Sequence, residues 1–110
     1  MEATAKLKYL RISPRKVSVV LDLIRGKDVP VAEGILLQTS KAACEPLLKL
    51  LRSAAANAEN NHGMDPERLY VSACSADPGP ILKRVRFASR ARVHHYVKRT
   101  SHVTITLSER

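Results

Sequence analysis

Seven cations, Lys83, Arg84, Arg86, Arg90, Arg92, Lys98 and Arg99, stand between Pro80 and Ser108 with no acidic residue among them. A guanidinium can fork two hydrogen bonds onto one phosphate, and a single-signed run of this length repels itself unless a polyanion neutralises it. The chemistry on offer is therefore phosphate binding. Phe87 and Tyr96 are interleaved with the cations and could stack on unpaired bases or pack within the segment. The plainer alternative is a solvated charged face. Its length, its single sign and a second basic block elsewhere weigh against that.

The second block lies near the N-terminus. Arg11, Ser13, Arg15 and Lys16 gather where Ser13-Pro14 marks a helix start, so free amides, a partial positive dipole and three cations favour an anion there. Simple capping is the competing reading, and the two are compatible. Between Lys6 and Lys27 seven bases are opposed only by Asp22, whereas residues 28–68 hold six acids against four bases. Two basic surfaces thus flank a neutral packing unit. The whole chain carries a net charge of +9, which makes nucleic acid the default partner.

Other chemistries find little support. His94 and His95 are neighbours, which on a strand point to opposite faces, and no Asp or Glu in the segment could orient them. Cys44 and Cys74 lack CxxC spacing and read as small buried hydrophobes in a reduced chain. No Ser-His-Asp set, paired carboxylates, Gly-rich phosphate loop or HExxH string can be assembled locally. No cofactor, metal or enzymatic activity is expected. A membrane partner is the weaker reading, because no apolar run approaches the ~20 residues of a span. The opening residues Met-Glu-Ala-Thr-Ala-Lys lack the features of a secretory or transit signal, so a cytoplasmic location is expected.

The elements that must position these cations follow from periodicity. Ala3, Ala5, Leu7 and Tyr9 alternate with Thr4, Lys6 and Lys8, which predicts a half-buried strand over 3–10. Val17, Val20, Leu21 and Ile24 follow Ser13-Pro14 at helical spacing, with Gly26 placed for a left-handed cap. A second short helix after Val29-Pro30 should bury Ala32, Ile35 and Leu36 and end near Thr39. Ser40 is placed to cap a third and longest helix, with Leu47, Leu51, Ala54, Ala55 and Ala58 on one face and Asn60, Asn61 and Gly63 at its end. Pro46 requires either a late start or an irregular first turn. Leu69–Ala76 and Val103–Leu107 read as antiparallel strands.

Residues 77–102 exceed any ordinary connection, and loops past ~12 to 15 residues are functional or disordered. As a two-stranded arm of about 12 residues per side at ~3.3 Å each, they would project on the order of 40 Å. Mutual repulsion makes such an arm dependent on phosphate for order. The expected class is α+β: one domain over 1–110, three helices packed on a small antiparallel sheet, with 77–102 as a protruding β-hairpin arm.

ISPRKV at 12–17, DLIRGK at 22–27, SAAANAENNHG at 53–63, LKR at 82–84 and KRTSH at 98–102 closely resemble the bacterial large-subunit ribosomal protein family numbered twenty-two, over essentially the whole chain. The resemblance implies a non-enzymatic protein whose long hairpin runs through large-subunit ribosomal RNA to line the nascent-peptide exit tunnel. Neighbouring ribosomal proteins and the nascent polypeptide are implied as further partners. It implies RNA-binding roles for Arg11, Ser13, Pro14, Arg15, Lys16, Asn57, Asn61, Lys83, Arg84, Arg90, Arg92, Lys98, Arg99 and His102. The residue reading adds Arg86. Phe87, Ala88, Ser89, Arg90, Ala91 and Arg92 would form the tunnel-lining tip. That tip departs from the family pattern Pro-Arg-Ala-x-Gly-Arg-Ala-Asp, since FASRARVH at 87–94 puts Ala91 in place of Gly and His94 in place of Asp. Losing Gly removes the residue that best accepts positive φ, so a different turn geometry is expected.

Two other functions compete with this expectation of a ribosomal RNA scaffold. A free DNA-binding regulator could use the first two helices as a helix-turn-helix, though it leaves the acid-free arm without purpose. A small hydrolase using Cys74 or His94 has no local site to support it.

Overall fold

The computed structural model describes residues 2–87 and 93–110. In chain order they form β1 (Glu2–Leu10), α1 (Pro14–Ile24), α2 (Val29–Gln38), α3 (Cys44–His62), a 3-10 turn (Pro66–Arg68), β2 (Leu69–Pro78), β3 (Leu82–Phe87), β4 (Val93–Lys98) and β5 (Ser101–Glu109). β5 is the central strand of an antiparallel sheet ordered β1-β5-β2, and β3 pairs with β4 in a separate two-stranded ribbon. The class is α+β, with helices on one face of the sheet and the ribbon projecting from it. The molecule measures 63 × 26 × 16 Å along its principal axes.

Strict alternation along β5 drives Val103, Ile105 and Leu107 into the core. They meet Ala3 and Ala5 of β1, Leu69 and Val71 of β2, and an inner layer of Val17, Val20, Leu21, Ile24, Leu47, Leu51, Ala54 and Ala58 from the helices. Ala54 and Ala58 let α3 approach the sheet closely, while Ile35 and Ala55 are only partly buried at the margin. Both cysteines are buried and unpaired with each other.

The helix boundaries show which local signals act. Pro14 is the first residue of α1, but the Ser13 hydroxyl makes no capping hydrogen bond; its carbonyl accepts from the Lys16 and Val17 amides instead. Gly26, at φ 78°, ends α1 in the left-handed conformation, and its N–H donates to the Val71 carbonyl. Ser40 does not cap α3, which starts later, at Cys44 after an uncapped Ala43. The late start resolves Pro46: it falls in the first turn, where no intrahelical partner awaits its missing N–H.

Two bulges shift the strands. The β1–β5 register slips between Leu7 and Leu10, so Tyr9 does not join Ala3 and Ala5 in the core, or Leu7 at its margin, but is 63% exposed at φ 61°. Its expected burial is thereby corrected: one extra residue exchanges the faces of everything after it. β2 slips likewise between Val71 and Ala73, so its buried positions change from Leu69 and Val71 to Cys74.

The arm begins later than residues 77–102 implied. Asp77 and Pro78 pair with His102 and Ser101 in the body sheet, and the ribbon's ladder runs from Leu82–Lys98 to Phe87–Val93. Each described strand of the ribbon is six residues long.

Candidate nucleic-acid interface

Three hydrogen bonds organise the base of the arm, two across it and one to the turn before α1. The Thr100 hydroxyl donates to the Pro80 carbonyl at 2.6 Å, the Ser101 hydroxyl to the Ile12 carbonyl, and the Gly79 N–H to the Thr100 carbonyl at 2.9 Å. Thr100 and Ser101 are buried polar residues, and this bonding satisfies them. Adjacent His102 is half-buried, and its Nδ1 accepts the Tyr9 N–H at 3.1 Å. The KRTSH string is thus a clasp: its last three residues turn inward, while Lys98 and Arg99 stay exposed.

The clasp sets Lys98 and Arg99 beside the turn entering α1. Arg11, Ile12, Ser13, Lys16, Ala42, Val97, Lys98 and Arg99 line one open groove of about 500 Å³. Four cations from opposite ends of the chain converge on it. No acidic residue occupies the first turn of α1, so its amides and dipole add to the same field. A phosphate chain is the chemistry this groove complements.

The ribbon has two unlike faces. The register places Leu82, Arg84 and Arg86 on one side with Tyr96 and Lys98, and Lys83, Val85 and Phe87 on the other with Val93, His95 and Val97. Lys98 Nζ lies 5.8 Å from the Tyr96 ring centroid on the first face. The second face leaves Phe87 83% exposed, with Val85, Val93 and Val97 also open to solvent. Lys83, Arg84 and Arg86 are all exposed, as phosphate contact requires. The proposed tip positions 88–92, including Arg90 and Arg92, lie outside the described residues.

The remaining expected residues are more dispersed. Pro14 and Arg15 sit at the start of α1, with Arg15 exposed. On α3, half-buried Asn57 donates through Nδ2 to the Thr4 carbonyl at 3.4 Å, tying helix to sheet, while Asn61 is exposed near the helix end. Residue reasoning missed Lys41 and Ala42, which lie beside the groove in the turn before α3, because they belong to the charge-balanced middle of the chain. It also missed Arg110. That side chain donates to Asp28 Oδ1 at 2.7 Å and to the Gly26 carbonyl at 3.1 Å, and covers the Tyr70 ring at 4.4 Å.

Nucleophilic chemistry at Cys74 is disfavoured. Burial pushes the Cys74 thiol above its usual range, and nearby Arg25 only partly opposes this. A reactive cysteine needs the reverse. Among the described residues no cluster of His, Cys, Asp or Glu has metal-binding geometry.

A helix-on-sheet body with a cationic groove and a charged ribbon defines a basic α+β protein whose surface is complementary to nucleic-acid phosphate. Comparison with known proteins narrows that class. Residues 5–108 match the family described as Ribosomal protein L22p/L17e, and the chain belongs to it. Over all 110 residues it is 52% identical to the large ribosomal subunit protein uL22 of Clostridium novyi, covering 99% of that protein. Over the same span it is 54% identical to the uL22 of Carboxydothermus hydrogenoformans and 53% to that of Thermus thermophilus, covering 97% of each. The family is structural and non-enzymatic, and its bacterial members are components of cytoplasmic ribosomes.

Proposed function

We propose that this chain is a structural constituent of the large ribosomal subunit that binds large-subunit ribosomal RNA, supports subunit assembly and extends its arm to the nascent-peptide exit tunnel. The convergence of Arg11, Lys16, Lys98 and Arg99 on one groove carries the reading. An RNA backbone threading the groove neutralises both basic blocks, then continues along Arg84, Arg86 and Lys83 of the arm. Pro14 and Arg15 extend the contact at the start of α1, and Asn61 from the end of α3. Asn57 and His102 act by holding β1 against its neighbours. The tip, Phe87 through Arg92, faces the tunnel and the nascent polypeptide, and other ribosomal proteins complete the surroundings.

Filter binding to transcribed large-subunit ribosomal RNA tests this. Affinity should fall steeply and linearly on a log–log plot against salt, because each neutralised phosphate releases counterions. Absence of binding at low salt, or indifference to salt, overturns the reading.

The helix-turn-helix alternative loses ground on α2, its would-be recognition helix. Val29–Gln38 contains no Lys or Arg and one acid, Glu33, which suits packing rather than groove reading.

A further inference from the structure

Beside the phosphate groove lies a second concavity with different walls. Ile12, Lys16, Val19, Lys41, Ala42 and Ala43 enclose about 240 Å³. It shares Ile12, Lys16 and Ala42 with the cationic groove, so the two are continuous. Four of its six walls are apolar, and the two lysines stand at its edges. Its volume lies below the roughly 300 Å³ at which sites for drug-sized molecules begin, which suits a single flat ring system. The floor is fixed in advance: Ala43 is buried, and the Cys44 N–H donates to the Lys41 carbonyl at 3.1 Å across the turn.

We propose that this recess receives the base of one unpaired nucleotide whose phosphate is held in the adjoining groove by Lys16, Arg11, Lys98 and Arg99. The inference rests on the RNA-binding reading and specifies a site within it. An aliphatic protein side chain would match the apolar walls but bring no charge to the groove. An anion alone would match the groove and leave Val19, 55% exposed, uncovered. A nucleotide carries a flat, largely apolar-faced ring and a phosphate on one covalent frame, which matches two adjoining sites that share a lysine. Proteins that recognise RNA by sequence commonly take such splayed bases from loops and bulges. The site therefore gives the protein a means of choosing a particular bulge or loop, which backbone contact alone does not supply.

The test uses the full chain with transcribed large-subunit ribosomal RNA carrying 4-thiouridine or 6-thioguanosine, photocrosslinked and mapped by peptide mass spectrometry. Nucleotide adducts are expected within residues 16–19 or 41–43. Ala42→Leu fills the recess from an exposed turn, and Val19→Gln makes one wall polar without touching the core. Each should abolish those adducts and lower affinity about tenfold through the lost base stacking, and in Val19→Gln, which lies outside the phosphate groove, the salt slope and thermal midpoint stay unchanged. Adducts confined to the arm, or wild-type affinity in both variants, overturn the recess and leave RNA binding standing. A peptide of another ribosomal protein crosslinked at 41–43 in assembled subunits also overturns it. Failure of the wild-type chain to bind the RNA at all overturns the underlying reading instead.

Discussion

The rings of Tyr9 and His102 meet edge to face, centroids 4.9 Å apart and planes at 87°, while the Tyr9 N–H donates to His102 Nδ1 at 3.1 Å. Tyr9 sits at φ 61°, a conformation that disfavours a bulky side chain and is kept only where surroundings over-determine it. The imidazole is part of that determination. By holding the bulge, it directs the chain from β1 into the turn that presents Arg11 and Lys16. One imidazole thus helps to position the cations.

His102→Ala should therefore destabilise the protein by about 1–2 kcal/mol, through a lost hydrogen bond and a strained residue left unsupported. His102→Asn, which keeps an acceptor, should recover part of it. Urea denaturation of the three proteins checks the order.

Gly79 and Gly34 should respond oppositely to Ala. A Cβ at Gly79 would lie 2.6 Å from Thr100 Oγ1 and 3.2 Å from the His102 ring, whereas one at Gly34 meets nothing within 4 Å. Gly79→Ala should cost about 1–3 kcal/mol by overpacking the clasp. Gly34→Ala, inside α2, should stabilise by about 0.5–1 kcal/mol. Thermal melts of both variants decide it.

The two faces of the arm should separate in salt titrations. Arg84→Gln with Arg86→Gln should flatten the log–log slope of RNA affinity by about two, one per lost phosphate contact. Val85→Ser with Val97→Ser, on the opposite face, should leave the slope intact. Equal slopes in all three proteins would remove the arm from the RNA contact.

Cys74 should be a slow thiol. Its folded pKa lies above the ordinary 9.0, chiefly through burial, so the neutral form is favoured in the native state. Stability from this source is complete below about pH 9 and is lost as pH rises through the folded value. Thiol titration with a disulfide reagent at pH 8 should be slow in the native protein and fast in urea. Arg25→Ala should slow it further, because Arg25 lowers the thiol pKa.

Much of the fold was legible because its signals are local. Ser13-Pro14, Gly26 and the spacing of Val17, Val20, Leu21 and Ile24 place α1 without reference to anything distant. The alternation of Val103, Ile105 and Leu107 announces β5 in the same way. The face of Tyr9 was not legible, since a bulge exists only relative to the partner strand. Nor was the groove: Arg11 and Lys16 meet Lys98 and Arg99 only through the β1–β5 pairing and the Ser101–Ile12 bond. The charge blocks identified the residues, while tertiary structure made them one surface. Ser40 misled because a favourable capping residue does not oblige a helix to begin there, and Pro46 favoured the later start.

β5 lies between β1 and β2 yet follows both in the chain. During synthesis neither flanking strand has a partner until β5 is made, and Ala3 must wait for Leu107 across the helices and the arm. Helices can form early, but the sheet closes late, with the high contact order that slows folding. Until then the apolar edges of Leu69 and Val71 and a strongly cationic, unfinished chain coexist, a combination open to aggregation or premature capture by nucleic acid. The strand order thus makes the emergence of β5 the moment at which the sheet can close.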